Sequence, residues 1–509
     1  MGLFIKKPFE ALLAEANASG SKSLKRVLGP WSLVALGVGV IIGAGLFSIT
    51  GTVAAGYTGP AITLSFAIAA LGCCFAGLCY AEFASMIPVA GSAYTYSYAT
   101  MGELIAWIIG WDLILEMLMA GSVISKYWGV YLNDFMRLMG WNANTNLTFG
   151  SFHIDIAPII IVAFFTTLLV FGTKIGARVD GAMTVLKIAI VFFVVIVGFF
   201  YVKASNFTPF IPPSQPASTV EGSSAVTGVM TQPLWQFATG MTPSVYGVPG
   251  ILSGAALVFF AFIGFDVVAT ASEETKNPHK NVPLGIGVGM LLIIVMYMLV
   301  AVVTTGMVSY ADLAKQDSPS LATAFELVGA DWAAKIISFG IVLGLATVVM
   351  VLLLGLTRIV FAMSRDGLLP RGLSKTGKHG TPAALQIVVG AVVALVAAFF
   401  DIGVLSDMVN IGTLSAFTLV AISIPIMRKK RPDLPRAFKM PGSPWIPILI
   451  AVANFWLMLN LSVLTWIRFV VWLVVGFAIY FGYGYWHARL GKGDLTETLS
   501  AETDKAVNG

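Results

Sequence analysis

The sequence predicts an all-α integral membrane protein with about 12 transmembrane helices. Composition and two interrupted hydrophobic stretches point there. Of 509 residues, 58% are hydrophobic and 11% charged, and mean hydropathy is +0.89. Soluble domains carry about 25% charged residues, so this much apolar surface belongs in lipid. The first interrupted stretch runs from Leu36 to Phe47 (L-G-V-G-V-I-I-G-A-G-L-F), with Gly43, Ala44 and Gly45 at its centre. The second runs from Phe259 to Asp266 (F-F-A-F-I-G-F-D), with Gly264 and Asp266 at its centre. Each opens one of two successive groups of five spans. In lipid every backbone N–H and C=O needs an internal partner. A helix broken at that depth therefore lines a cavity or faces protein, and matched breaks in two halves point to a solute site.

A membrane helix needs about 20 apolar residues. On that rule spans 1 to 5 fall at 31–56, 60–87, 101–131, 156–173 and 181–204. Spans 6 to 10 fall at 249–272, 283–306, 332–363, 384–401 and 404–427, and spans 11 and 12 at 445–465 and 467–488. The last two are separated only by Thr465-Trp466-Ile467-Arg468. The N-terminus, the loops after even-numbered spans and the C-terminus hold about 22 of the 30 Lys and Arg residues. Both termini are thus expected on the cytoplasmic side. The net charge of +5 reflects these loops, and no nucleic-acid partner is expected. The first 30 residues are polar and basic, with no cleavable signal peptide expected and span 1 serving as its own insertion signal. Cys73, Cys74 and Cys79 all fall inside span 2 and read as small buried thiols. The long segment 205–248, rich in Pro, Ser, Thr and Gly, reads as an external loop, a flexible cap or a gate. Asn146 and Asn206 each open a glycosylation sequon on that side, better explained by chance.

Further motifs resemble a known family. I-I-G-A-G-L-F in span 1 resembles the Gly-x-Gly break of the amino acid–polyamine–organocation superfamily. V-F-F-A-F-I-G-F-D followed by E-E-T-K-N-P-H-K-N-V-P (Val258 to Pro283) is similar to its cationic amino acid transporter branch. So are Y-A-E-F (Tyr80 to Phe83), W-D-L-I-L-E (Trp111 to Glu116) and F-A-M-S-R-D-G-L-L-P (Phe361 to Pro370). The resemblance covers nearly the whole chain. It implies a LeuT-like fold with inverted repeats at 31–204 and 249–428 and spans 11 and 12 in 445–488. The cytoplasmic segments would be 1–30 and 489–509. It also implies carriage of amino acids, often with a proton.

The chemistry of the breaks agrees. A half-helix starting mid-membrane has a positive end worth about +0.5 charge, and anions bind such ends. Gly43, Ala44 and Gly45 can present N–H groups to a carboxylate, while carbonyls at Phe260, Ala261 and Ile263 suit an ammonium. Ile41 borders the first break. An L-amino acid, cationic or small neutral, fits between them. The competing reading of these glycines is helix packing, which suits Gly37 and Gly39 better. The sequence departs from the family at Ala44, where Ser or Thr is common, so a hydroxyl contact to the carboxylate is missing. Phe260 can also cover the substrate as a gate, against a plain core role.

Intramembrane charges cost about 2.5–3.5 kcal/mol each on insertion scales, so each needs a reason. Lys187 in span 5 has apolar neighbours, and an amine held away from water can load and release a proton. In proton-coupled relatives a Lys in this span faces the span 1 break. Snorkelling toward the cytoplasmic face is the competing explanation. Glu116 in span 3 can pair with Lys187 or shape the substrate pocket, with Asp112 on the same helix face. Glu82, Asp266, Glu273, Glu274 and Arg358 read as an inner-gate network, or as helix-end solvation.

The expected activity is secondary active import of L-amino acids across the plasma membrane by proton symport with alternating access. An exchanger, and further off a membrane-embedded sensor or channel, are the alternatives. No enzyme activity is expected: H-E-x-x-H, G-x-S-x-G and Walker patterns are missing, and His153, His279, His379 and His487 lack metal-ligand spacing. No cofactor or metal is expected, with the proton as coupling ion. The lipid bilayer is the other expected partner, and a small single-span accessory protein is left open.

Overall fold

The computed structural model describes residues 4–8, 28–43, 45–86, 92–141, 145–149, 152–172, 174–219, 228–265, 268, 275–316, 319–375, 377, 381–432, 436 and 438–488. Ala44, Asp266, Glu273 and Glu274 lie outside the described residues. So does the tail 489–509.

The chain is almost entirely helical. The first interrupted span is α1, Pro30–Ile41, followed by a helical segment α2 at 45–58 that mixes wide and regular turns. α3 (Ile62–Met86), α4 (Ser92–Thr100) and α5 (Glu103–Leu138) follow. A two-stranded antiparallel hairpin, β1 (Asn146–Phe149) and β2 (Phe152–Asp155), then leads into α6 (Ile156–Phe171) and α7 (Lys174–Phe199). The second interrupted span begins as α8, Gly247–Val258, and tightens into a 3₁₀ turn at Phe259–Phe262. Next come α9 (Pro278–Met307), α10 (Asp331–Arg365), α11 (Ala383–Phe399), α12 (Ile402–Lys430), α13 (Trp445–Leu459) and α14 (Val463–Ile479). Among the described residues, seven helices are long and apolar enough to cross a membrane, and five shorter apolar helices accompany them. This is a multi-pass, all-α membrane protein.

α3 packs on α9, α5 on α10 and α6 on α11. Lipid offers no hydrophobic drive between helices, so close approach depends on small residues. A Cβ on Gly340 of α10 would stand 1.6 Å from Ile190 Cδ1 of α7, and one on Gly476 of α14 would stand 2.5 Å from Trp111 of α5. Trp111 stacks on Trp472 with ring centroids 4.4 Å apart, which ties α14 to the bundle.

Two expectations need correction. The break between spans 11 and 12 lies at Asn460–Ser462, upstream of Thr465–Arg468. The Ser462 side chain accepts the Thr465 N–H at 3.2 Å and caps α14. Capping chemistry thus outweighed the charge of Arg468, which sits inside the helix. The second concerns the loop 205–248, expected as a flexible cap or a gate. Its described part after residue 228 is fastened to that same turn. Val463 N donates to Gln232 O at 3.1 Å, Leu234 N to Leu461 O at 3.0 Å, and Trp235 Nε1 to Asn460 Oδ1 at 2.8 Å.

Candidate functional site

α1 ends because Ile42 is extended, with ψ 94°. Its last carbonyls then need outside donors. Ile42 N serves Val38 O at 2.9 Å, the Lys187 ammonium serves Gly39 O at 2.6 Å, and the Tyr297 hydroxyl reaches Ile41 O at 2.7 Å. A helix C-terminus carries about −0.5 charge, so a cation there is well placed. Lys187 is buried, and its stem lies against Gly344 of α10, where a Cβ would come within 3.0 Å.

The second break follows the 3₁₀ turn. Ile263 is extended and Gly264 has φ +117°, a conformation only glycine adopts without strain. A Cβ on Gly264 would also meet Val40 Cγ1 at 2.6 Å. Ile263 N donates to Phe260 O at 3.3 Å, and the Tyr297 hydroxyl lies 2.8 Å from Ala261 O. One hydroxyl from α9 thus stands between the carbonyls of both breaks, and can donate to one at a time. The breaks touch directly, since a Cβ on Gly45 would fall 2.2 Å from Ala261 Cα. Gly45 is therefore a close-packing position. Gly43 differs: the nearest atoms to an added Cβ are Ile41 O and Val348 Cγ2, both at 3.8 Å.

Gly43 faces a small cavity of about 10 Å³, room for a single water. Its wall takes Ile41, Gly43, Gly45, Phe260 and Ile263 from the predicted set. It adds Val40 of α1, Ala120 and Ile124 of α5, and Val348 and Leu352 of α10, so among the described residues no charged side chain lines it. Among the described residues the Gly43 N–H takes no backbone partner. Ala261 lies behind the wall, against Gly45. Glu116 is fully buried but stands one helical turn from Ala120, outside the wall and near enough to Cys73 for charge to be felt. Asp112 accepts the Ser415 hydroxyl at 2.7 Å.

Toward the end of the bundle that carries the basic loops, Glu82 is fully buried. It accepts Arg428 Nε at 2.9 Å, Arg428 Nη2 at 2.5 Å and Met440 N at 2.7 Å, with Arg436 Nε at 3.6 Å. Arg358 is half-buried on α10. The arginines placed on Glu82 are Arg428 and Arg436, from the end of α12 and just beyond it. Nearby, the buried Lys7 ammonium donates to Asp366 at 2.9 Å, and the Tyr94 hydroxyl to the same carboxylate at 2.8 Å. At the opposite end a cavity of about 530 Å³ descends to Ser48 and Ile49 of α2, just above the breaks.

Reasoning from sequence missed Tyr297, Ala120, Ile124, Val348, Leu352 and Arg428. Only Tyr297 left a signal, a lone hydroxyl in an apolar run (I-V-M-Y-M-L-V).

The family model for amino acid permeases matches residues 28–483. The chain belongs to that family. The permease is 43% identical over 498 residues to the branched-chain amino acid permease BcaP of Bacillus subtilis (strain 168), covering 96% of this chain and 99% of the relative. It is 40% identical over 496 residues to the methylthioribose transporter of the same organism, with 96% and 99% covered. Cationic amino acid transporter 4, vacuolar, of Arabidopsis thaliana is 36% identical over 419 residues, covering 81% of the permease and 65% of the relative. These relatives are named permeases and transporters, and none is named an enzyme.

Proposed function

We propose that the permease imports a small neutral aliphatic L-amino acid across the plasma membrane by proton symport. The observation that carries this reading is the apolar, water-sized cavity where the two broken helices meet. The amides at Gly43, Ala44 and Gly45 receive the carboxylate at the positive end of α2. The ammonium goes to the carbonyls of the second break, with Ile263 the exposed choice because Phe260 and Ala261 already have donors nearby. Ala120, Ile124, Val348 and Leu352 take the side chain. A wall without a carboxylate favours an aliphatic over a cationic side chain, in keeping with the branched-chain relative. Phe260 lies over the site and moves when it loads.

In this reading the chain makes 12 spans with both termini cytoplasmic, as a LeuT-like pair of five-helix repeats plus two further helices. Alternating access follows from rocking the spans that carry the breaks. Lys187 couples the proton: charged, it pins Gly39 O and holds the end of α1; neutral, it loses its hold on that negative helix end and lets α1 move. Glu82 with Arg428, joined by Asp266 and Arg358, forms the inner gate.

Thermal unfolding with each of the twenty amino acids at two pH values identifies the ligand, because binding raises stability by mass action. Uptake of that amino acid into liposomes should then follow an inward proton gradient. Lys187→Ala should keep substrate binding and lose the response to the gradient. Gradient-driven uptake by that variant would remove Lys187 from the mechanism. Counterflow without any gradient would make the permease an exchanger.

A further inference from the structure

We infer that Asn410 of α12 is a positioning residue of the central site: its side-chain amide holds the Leu257 carbonyl, which the second broken helix passes over, and so sets the carbonyls that receive the substrate ammonium. The inference rests on the central site being an amino acid site, and names a residue outside its wall that shapes it. An α-helical N–H reaches back four residues, and a 3₁₀ N–H reaches back three. α8 changes from one pattern to the other at Val258, whose ψ of −6° tightens the chain into the turn Phe259–Phe262. The Ala261 N–H, which an unbroken α-helix would bring to Leu257 O, is drawn to Val258 O instead. Ile263 N on Phe260 O continues the three-residue pattern. Such a change skips one carbonyl, and here it is that of Leu257. Asn410 Nδ2 donates to Leu257 O at 3.3 Å.

Asn410 is fully buried, and its Oδ1 has no hydrogen bond among the described residues. Burying an amide is costly unless it is bonded, and the bond this one makes is to Leu257 O. Its support is fixed. A Cβ on Gly412 would lie 3.3 Å from Leu115 of α5, and Ser415 donates to Asp112 of α5 at 2.7 Å. α12 thus presents Asn410 from a wall tied to α5. Tyr297 of α9 reaches Ala261 O from another side. The two donors grip the carbonyls of Leu257 and Ala261, and Phe260 and Ile263 beside them line the central cavity. Without the Asn410 donor, Leu257 O regains a partner only if the Ala261 N–H returns to it. That return converts the turn toward α-helix and swings the Phe260 and Ile263 carbonyls out of place. Burial of an amide beside the turn is not enough. Asn454 of α13 is equally buried and stands near Phe259, since a Cβ on Gly72 would lie 3.2 Å from Asn454 Oδ1 and 3.5 Å from Phe259 Cε2. Yet neither polar atom of its side chain has a hydrogen bond among the described residues.

The test uses the full-length permease in proteoliposomes, with uptake of L-leucine measured at about pH 5 for every variant. Asn410→Leu keeps the bulk of the side chain and removes the donor. It should raise the KM for leucine at least tenfold and change kcat less than threefold. Asn410→Asp restores a donor, because an acid held away from water keeps its proton, and its O–H can reach Leu257 O. Its KM should return to within threefold of the unmodified permease. Asn454→Leu should leave the KM within twofold. A melting curve for each variant excludes misfolding, and Asn410→Ala replaces Asn410→Leu if the latter does not fold. An unchanged KM in the variant without a donor overturns the assignment. Asn410→Asp performing no better than Asn410→Leu also overturns it, because packing would then be all that matters. So does Asn454→Leu raising the KM as far as Asn410→Leu. Failure of the unmodified chain to carry leucine or any other amino acid overturns the reading of the central site instead.

Discussion

One end of the bundle is sealed, and the other opens into a cavity. At the end with the basic loops, Glu82 is fully buried, two arginines converge on it, and a second buried pair joins Lys7 to Asp366. At the other end a cavity of about 530 Å³ reaches down to α2, and its charged residues stand apart. Of the ion pairs on that side, Arg137 with Glu326 leaves 57% of the Arg137 side chain exposed. The contrast assigns each end a state: sealed by desolvated charge below, open to solutes above. In the proposed mechanism the buried charges at the Glu82 end would have to separate before a solute could pass.

The largest expected effect tests the seal. Removing one partner of a buried pair costs about 3–5 kcal/mol, because the other charge stays desolvated. Glu82→Gln leaves Arg428 and Arg436 facing a neutral amide and should lower the melting temperature sharply. Cys79, buried one turn before Glu82 on α3, is a built-in reporter. Its reaction with a permeant thiol reagent should speed up in the variant. Unchanged melting together with unchanged Cys79 labelling would show that the seal lies elsewhere.

The breaks themselves give the next contrast. Gly45→Ala drives a methyl into the backbone of Ala261, 2.2 Å from its Cα, and overpacking of that kind costs about 1–3 kcal/mol or more. Gly43→Ala places its methyl at ordinary contact distances in the small cavity. The Gly45 variant should therefore lose stability and activity together. The Gly43 variant should melt close to the unmodified protein and lose substrate affinity by at least tenfold. Equal melting losses in the two would erase the distinction between a packing glycine and a site glycine.

Much of this was legible in the sequence, for physical reasons. Hydropathy exposes membrane helices because lipid tolerates little else, and both breaks were visible as glycines where a helix should be continuous. What stayed hidden depends on contacts distant along the chain. Arg428 sits in R-K-K-R, a run that orientation rules already explain, and nothing local ties it to Glu82. Tyr297 acts through a hydroxyl whose partners are carbonyls on two other helices. Glu116 drew notice because charge in lipid is costly, but a helix advances 1.5 Å per residue, and four residues put it beyond the cavity wall. At the turn before α14, Ser462 with Thr465 is a capping pattern that a nearby arginine obscured.

The smallest expected effect lies at the exposed pair of Arg137 and Glu326. Arg137 and Glu326 form a two-pronged pair, Nη1 to Oε2 at 3.0 Å and Nη2 to Oε1 at 2.8 Å. By geometry alone it rivals the pair at Glu82. Its setting differs, because water already solvates most of the arginine and screens the attraction. Exposed pairs contribute about 0–1 kcal/mol, so Arg137→Ala should shift melting by no more than a degree or two. That small shift should vanish as salt rises from low to molar concentration, since the screening length falls from about 30 Å to about 3 Å. The Glu82→Gln loss should persist across most of the same salt range, because Glu82 itself is fully buried. A salt-resistant loss at Arg137 as large as that at Glu82 would mean that charge holds this end of the bundle as firmly as the Glu82 end.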